Sequence, residues 1–174
     1  MNATVAPRSP ERRAHELGLV IPADVAPAAH YELLTAHGGL LYLSGQLPRV
    51  GDKVAVTGCV GTDVSLEQAR EGARLCLLRA LAVLRQVLGS LDRVERVLKL
   101  QVFVHCDANF GRHSDVADAA SDLLVELFGP IGRAARTAVG VRQLPQRASV
   151  ELDLIVAAPA AAMSSRESLH AIHH

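Results

Sequence analysis

Apolar residues recur at helical spacing between Ser65 and Leu88, and charged residues occupy the opposite side of the same turns. Ser65 and Gln68 have the spacing of a capping box, and Gly89 is a typical helix stop. The pattern therefore predicts one long amphipathic helix. Its charged side is interpreted as a solvated face, because glutamates interrupt the arginine stripe that an RNA-binding surface would need.

Shorter segments with their own periodicity predict the remaining elements. A second helix is predicted over 115–128, where Gly129-Pro130 would end it, and a short helix over 11–17. Strands are predicted over 33–35, 40–43, 97–104, 135–141 and 148–156, and 48–61 is expected to be an irregular hairpin or a long loop. The order β-β-α-β-α-β-β predicts an α+β fold in which two helices cover one side of a mixed sheet.

Alternation along the strands predicts which side chains share a face. The apolar face of 97–104 is expected to consist of Leu98, Leu100, Val102 and Val104. In the last two strands, the apolar sets Val139 and Val141, and Val150, Leu152 and Leu154, are expected to face the core. Arg136, Ala138 and Gly140 would then share the other face with Glu151 and Asp153. A face with so many small residues has room for a ligand, and a subunit interface could also cover it.

Composition narrows the class of protein. The 174 residues include 18 Lys+Arg and 18 Asp+Glu, and only 3% are aromatic, which disfavours a nucleic-acid-binding protein. Hydrophobic residues make up 49%, enough for a folded core. No apolar run reaches the length of a membrane span and residues 1–10 do not resemble a secretion signal, so we expect a soluble, cytoplasmic protein. Cys59, Cys76 and Cys106 are expected to be reduced, structural thiols.

Several common chemistries have no counterpart in this sequence. Cys106 and its neighbours His105, Asp107 and His113 match no zinc-ligand spacing, so no metal site is expected. Ser44 lies in Ser-Gly-Gln and lacks the strand-to-helix elbow of a serine hydrolase. Phosphate-binding glycine motifs are absent from the sequence, and no nucleotide cofactor is expected. The histidines at the end of the chain are given no functional meaning.

Arg136 and Glu151 are the remaining candidates for chemistry. A guanidinium fixed on a strand can bind a carboxylate through two hydrogen bonds, which would orient a small organic acid. A glutamate on the neighbouring strand could hold a water molecule and act as general base toward an electrophilic carbon. The alternative is a plain cross-strand ion pair on an exposed face, which contributes little stability. The residues alone leave both interpretations open.

Five segments, taken in order, resemble the RidA family, also called the YjgF or L-PSP endoribonuclease family. They are Ala-His-Tyr at 29–31, Leu-Ser-Gly-Gln-Leu-Pro at 43–48, Val-Phe-Val at 102–104, Ala-Arg-Thr-Ala-Val at 135–139 and Leu-Pro-x-x-Ala-x-Val-Glu-Leu-Asp at 144–153. The resemblance covers 27–157. It would leave 1–26 as an N-terminal extension with a short helix and 158–174 as a flexible tail.

The resemblance implies a chorismate-mutase-like α+β fold, assembled as a homotrimer with a site in each cleft between subunits. Active members hydrolyse reactive enamine and imine intermediates, such as 2-aminoacrylate and 2-iminopropionate, to 2-keto acids and ammonia, without a metal or an organic cofactor. By resemblance, Arg136 would bind the substrate carboxylate and Glu151 would help hold the attacking water. The pocket would be lined by Tyr31, Ser44, Gly45, Gln46, Thr137 and Ala138, with the Gly45 backbone amide assisting.

Some positions depart from the family pattern. Ala138 stands where well-studied deaminases often have cysteine, Thr137 replaces a common serine, and His30 stands where compact members often have proline. The stretches 48–61 and 111–133 are longer than in those members. Two functions therefore remain: a 2-imino-acid deaminase, or a non-catalytic trimeric binder of small carboxylates or interaction protein. RNA cleavage is disfavoured by the neutral charge, the few aromatics and the lack of a suitable histidine pair.

Overall fold

In the part of the chain that the structure describes, three α-helices and five strands follow the predicted order, and two further short strands form a small hairpin. The computed structural model describes residues 9–27 and 30–159. The helices are α1 (Pro10–Glu16), α2 (Leu66–Leu88) and α3 (His113–Phe128). The strands are β1 (Leu34–His37), β2 (Leu40–Leu43), β3 (Arg49–Val50), β4 (Lys53–Val54), β5 (Arg96–His105), β6 (Ala135–Val141) and β7 (Val150–Ala157). The α+β prediction is confirmed, and the irregular segment 48–61 contains the β3–β4 hairpin.

The main sheet has five strands in the order β1-β2-β7-β5-β6. Only the β5–β6 pair is parallel, so the sheet is mixed, as predicted. Helices α2 and α3 pack against each other and against β5, β6 and β7. The core lies between these helices and one sheet face, and its strand residues are fully or almost fully buried: Leu100, Val102, Val104, Val150, Leu152 and Leu154.

Local hydrogen bonding defines both ends of α2. The Ser65 hydroxyl accepts a hydrogen bond from the Gln68 amide at 3.2 Å, and the Gln68 side chain accepts one from the Ser65 amide at 2.9 Å. This is the predicted capping box. At the other end, Gly89 has a φ of +79°, a conformation that favours glycine. The boundaries of the helix were therefore readable from short-range sequence signals.

The short helix α1 is tied to the domain by charged side chains. Glu11 accepts hydrogen bonds from Arg85 of α2 at 3.0 and 2.7 Å and from the Leu91 amide at 2.9 Å. Arg13 donates to the Glu126 carbonyl of α3 at 3.2 Å. The described part of the N-terminal extension therefore packs on the two large helices.

The predicted apolar face of β5 is wrong at Leu98. Val97 pairs with Val156 and Lys99 pairs with Ile155, so a bulge leaves Leu98 as an extra residue between them. Val97 is fully buried in its place, whereas Leu98 is only partly buried. A bulge shifts the alternation by one residue, and the apolar pattern alone does not show where it occurs.

The predicted face of β6 is also wrong. In the parallel β5–β6 register, Arg136 pairs with Leu100 and Ala138 pairs with Val102, so both lie on the helix-covered side. Val139 pairs with Phe103, which also pairs with Glu151. The valines of β6 therefore share the open face with Glu151 and Asp153, and Arg136 does not. The cause is the strand register, which sets the β6 residues paired with the buried Leu100 and Val102 toward α3.

Three of the predicted segments lie partly or wholly outside the described residues: residues 1–8 of the N-terminal extension, Ala29 of the Ala-His-Tyr motif, and 160–174 of the C-terminal tail with its histidines. Among the helices of the described ranges, none combines the length and apolar character required to cross a bilayer.

Candidate functional site

A cavity of about 590 Å³ opens at the beginning of β7, where the β2–β3 connection approaches α2. It contains four of the residues predicted for the site, Tyr31, Gly45, Gln46 and Glu151. Two arginines that the sequence analysis did not select, Arg49 and Arg79, also line it. The cavity therefore combines the carboxylates of Glu151, Asp24 and Asp52 with a phenol and two guanidinium groups.

The Ser44–Gln46 segment is held against β7 by backbone pairing. The Gln46 amide donates to the Leu152 carbonyl at 2.8 Å, and the Leu152 amide donates to the Gln46 carbonyl at 3.1 Å. The Gln46 side chain donates to the Ser44 carbonyl at 3.0 Å, and the Ser44 hydroxyl donates to the Glu32 carbonyl at 2.6 Å. These contacts place Gly45 beside Glu151 and give the Ser44 hydroxyl a role in shaping the loop.

Gly45 leaves the space in which the Glu151 carboxylate lies. A Cβ on residue 45 would collide with Glu151 Oε1 and lie 2.8 Å from Glu151 Cδ. Within residues 9–27 and 30–159, the Glu151 carboxylate forms no hydrogen bond or ion pair. Burial, and then the neighbouring Asp153 charge, raise the pKa of Glu151 above its ordinary value. A desolvated carboxylate without a partner is a suitable base for a bound water.

Arg79 reaches the cavity from α2. Its Nε is buried and has no hydrogen-bond partner in the described part of the chain. Burial, and then the charge of Arg49, lower the pKa of Arg79. Arg49 uses Nη1 to donate to the Asp52 carbonyl at 2.6 Å. The sequence carried one signal for Arg79, since it is the only charged residue in the apolar stretch 75–84.

Arg136, Thr137 and Ala138 do not reach this cavity within one chain. Arg136 Nη1 donates to Asp118 Oδ1 at 2.6 Å and to the Ser121 hydroxyl at 3.0 Å, both on α3. Thr137 accepts a hydrogen bond from Lys99 at 2.7 Å on the open sheet face. The chain therefore divides the predicted site residues between two places, with Glu151 in the cavity and Arg136 at the β6 edge.

A second cavity, of about 560 Å³, lies at the end of β5 and β6 and contains two cysteines, Cys59 and Cys106. Cys106 Sγ is 3.3 Å from His113 Nε2, and the His113 ring meets Phe110 edge-on at 5.4 Å. Burial, followed by Cys59 and Asp107, raises the pKa of the Cys106 thiol. In the ranges the structure describes, no three His, Cys, Asp or Glu side chains are placed to hold a metal ion.

Comparison with known proteins identifies the class of fold. The sequence model of the family described as "YjgF/chorismate_mutase-like, putative endoribonuclease" matches residues 11–157. The chain therefore belongs to the YjgF/chorismate-mutase-like family, which also contains the Rid proteins, and the predicted resemblance is confirmed. The family match includes α1 as well as the segment from 27 onward.

Individual relatives agree with this assignment. The chain is 43% identical to Protein TCP17 of Trypanosoma cruzi over 141 residues, which are 80% of this chain and 88% of that protein. The crystal structure of Atu1372 from Agrobacterium tumefaciens, a protein of unknown function, has 43% identity and a TM-score of 0.80, covering 86% of this chain and 92% of that one. A "putative endoribonuclease" from Shewanella oneidensis has 30% identity and a TM-score of 0.83, covering 86% and 99%.

Proposed function

We propose that the protein is a hydrolase of 2-imino acids, converting 2-aminoacrylate or 2-iminopropionate type intermediates to 2-keto acids and ammonia. The observation that carries the proposal is the unpartnered Glu151 carboxylate, held against Gly45 in a cavity that also contains two guanidinium groups. The carboxylate can bind and polarise water, and a guanidinium can orient the carboxylate of the substrate. Family membership supports the same reading without specifying the substrate.

The proposed reaction needs little from the protein beyond orientation. A water held by Glu151 attacks the imine carbon while Glu151 accepts its proton, and the electron pair of the C=N bond moves to nitrogen. Glu151 returns that proton to the nitrogen, and ammonia leaves as the new hydroxyl group gives up its own proton and the carbonyl forms. Because a protonated imine is already electrophilic, holding the water and the substrate together supplies most of the required acceleration. The raised pKa of Glu151 makes it a better proton acceptor than an ordinary glutamate.

In this proposal Arg136 acts from a neighbouring subunit. Within one chain it lies on the helix-covered side of edge strand β6, away from the Glu151 cavity. In a homotrimer, β6 of one subunit would lie beside the cavity of the next. The open sheet face supports such packing, because it carries Phe103 beside Val139, which is 39% exposed, and Ile155 beside Tyr42, which is 43% exposed.

The activity is tested by generating 2-iminopropionate from alanine with an amino-acid oxidase and following its decay. We expect the native protein to accelerate hydrolysis and Glu151→Gln to lose about 100-fold or more of that acceleration. Glu67→Gln is a matched control, since Glu67 is exposed on α2 and should leave the rate unchanged. Absence of acceleration by the native protein would contradict the proposal.

Sharing of the site between subunits has its own test. Arg136→Ala and Glu151→Gln are each expected to be inactive, but unfolding and refolding them together should form mixed trimers. In a closed ring with random mixing, about a quarter of the sites would combine an intact Arg136 with an intact Glu151. Recovery of about a quarter of the native activity is expected. If the mixture remains as inactive as its components, Arg136 does not complete a neighbour's site.

A non-catalytic binder of small carboxylates is the second candidate function. It is favoured by Ala138, which stands where the resemblance leads us to expect a thiol, and by guanidinium groups that can bind an acid whether or not it is hydrolysed. Saturable binding of 2-oxobutyrate together with no imine hydrolysis would select this function. Endoribonuclease activity has only the family description in its favour, and equal numbers of acidic and basic residues count against it.

A further inference from the structure

We propose that Arg79 and Arg49 form a binding site for a second anionic group, so that the preferred ligands are 2-imino or 2-keto acids with two carboxylates. This inference rests on the proposed function for the identity of the reacting group. It names a feature of the substrate that neither the family nor the resemblance specifies. The ligands in question are the imines and keto acids derived from acidic amino acids.

Arg79 is the first of the two arginines that line the cavity. Its Nε is buried without a hydrogen bond, and no carboxylate of the described residues lies within ion-pair distance of its guanidinium. A guanidinium nitrogen removed from water without a partner is unfavourable, and a buried unsatisfied donor at a cavity wall indicates a bound group that completes it. A carboxylate is the group whose geometry matches a guanidinium.

Arg49 is the second arginine of this cavity. Its positive charge is close enough to Arg79 to disfavour the protonated form of that guanidinium. Two like charges at one cavity, without an ion pair to either within the described ranges, favour an anion between them. Asp24 and Asp52 also line the cavity, and the Asp52 charge partly offsets the effect of Arg49 on the Arg79 pKa. Among the described residues neither carboxylate forms an ion pair with the two arginines, and both are exposed to solvent.

Glu151 lies in the same cavity as the two arginines. The charges of Arg79 and Glu151 both affect the pKa of the buried Cys76 thiol, which Glu151 raises and Arg79 lowers. The two side chains nevertheless form no ion pair with each other. The cavity of about 590 Å³ has room for a small dicarboxylate, whose reacting carbon would lie at Glu151 and whose distal carboxylate would lie at Arg79. The carboxylate next to the reacting carbon is then left for the Arg136 of a neighbouring subunit.

Binding is measured by calorimetry with two ligands of equal chain length, 2-oxoglutarate and 2-oxopentanoate, which differ in the distal carboxylate. We expect the native protein to bind 2-oxoglutarate at least about tenfold more tightly, as a charge-assisted pair requires. Arg79→Gln should remove this preference while changing 2-oxopentanoate affinity little. Arg74→Gln is the matched control, because Arg74 lies on the same helix and pairs with Glu71.

If Arg79→Gln does not fold, as judged by circular dichroism, Arg49→Gln serves as the second variant and should reduce the same preference. Equal affinity of the native protein for both ligands, or no binding of either, would overturn the inference. A preference that survives both arginine substitutions would overturn it as well.

Failure of the proposed function would give a different result. Binding would favour 2-oxoglutarate in an arginine-dependent way, but no imine would be hydrolysed. Imine hydrolysis without the dicarboxylate preference would support the proposed function and reject the second anion site.

Discussion

The Glu151 carboxylate occupies the space in which a side chain on residue 45 would lie. The observed position of the carboxylate therefore depends on the missing side chain of Gly45, whose backbone lies outside the left-handed region. The relationship joins two residues that are 106 positions apart in the sequence. It depends on the pairing of Gln46 with Leu152, which brings the loop against β7.

Substitution Gly45→Ala should displace the Glu151 side chain and lower imine hydrolysis by about tenfold or more, because a general base works only within hydrogen-bond reach. The free energy of unfolding should change by no more than about 1–3 kcal/mol, the usual cost of an added methyl group. Gly111→Ala is the matched control, since no atom lies within 4 Å of its added Cβ. Unchanged hydrolysis by Gly45→Ala would remove Glu151 from the proposed mechanism.

The raised pKa of Glu151 predicts a pH-dependent effect on stability. The folded state holds this proton more tightly than the unfolded state, so the stability linked to Glu151 is complete below the ordinary glutamate pKa of about 4.3. It is lost as the pH rises through the raised folded-state pKa. Glu151→Gln stays neutral, and we expect it to be more stable than the native protein at pH 7 by up to about 1 kcal/mol. Urea unfolding at pH 4 should show no such advantage.

Asp153 should set part of the pH dependence of catalysis. Its charge is the second cause of the raised pKa of Glu151, after burial. The rate of imine hydrolysis should therefore rise with pH over a range above the ordinary glutamate pKa. Asp153→Asn should move that rise to lower pH, because it removes the like charge. A pH profile that Asp153→Asn leaves in place would mean that a group other than Glu151 is titrating.

Asp118 is expected to position Arg136 rather than to contact substrate. It accepts a hydrogen bond from one terminal nitrogen, Nη1, together with Ser121. Asp118→Asn should raise the KM for the imine several-fold with little change in kcat, as expected when an orienting contact is weakened. The unfolding free energy should fall by less than about 1 kcal/mol, as for other exposed pairs. Asp122→Asn, at an exposed position of α3, is the control. A fall in kcat at constant KM would argue against a positioning role.

Gly140 makes room for the contact between Cys106 and His113. A Cβ at residue 140 would lie 2.6 Å from His113 Nε2 and 2.9 Å from Cys106 Sγ. Gly140→Ala should therefore lower the free energy of unfolding by about 1–3 kcal/mol. In a Cys106→Ala background the penalty should be smaller, because the sulfur is absent. Equal penalties in both backgrounds would show that the sulfur is not part of the clash.

Thiol labelling should follow burial and pKa. Cys76 is fully buried, and burial raises its pKa well above the ordinary thiol value, so iodoacetamide should leave it unmodified in the folded protein. Labelling of Cys106 should continue to accelerate at pH values where an ordinary thiol, with a pKa of about 8.5, is already ionised. Mass mapping at several pH values measures both rates. Rapid labelling of Cys76 in the folded protein would contradict its burial.

Much of the fold could be predicted because the relevant signals are local. The capping box at Ser65 and the stop at Gly89 depend on hydrogen bonds and dihedral angles within a few residues. The periodicity of α2 and the alternation of β7 report burial directly, and both agree with the structure. Glu151 could be selected from the alternation of its strand and the Ser44–Gln46 motif from the resemblance, and the cavity does contain Gly45, Gln46 and Glu151.

Other features depend on contacts between distant segments. The bulge at Leu98 and the face of Arg136 follow from strand register, and a change of one residue in register moves a side chain to the opposite face. The position of Arg79 in an apolar stretch marked it as unusual, but its place at the Glu151 cavity depends on segments distant in the chain. The pairing of Cys106 with His113 needed the turn between β5 and α3.

By itself, the sequence determined the order of elements, the α+β class, the helix ends and the family, since each depends on short-range periodicity, local hydrogen bonds or motifs in linear order. Tertiary structure alone decided which face each β6 residue occupies, that Arg136 binds Asp118 within its own chain, and that Arg49 and Arg79 meet at the Glu151 cavity. The physical reason is that strand register and loop packing bring together atoms far apart in the chain, and the burial of a charge is a property of those contacts.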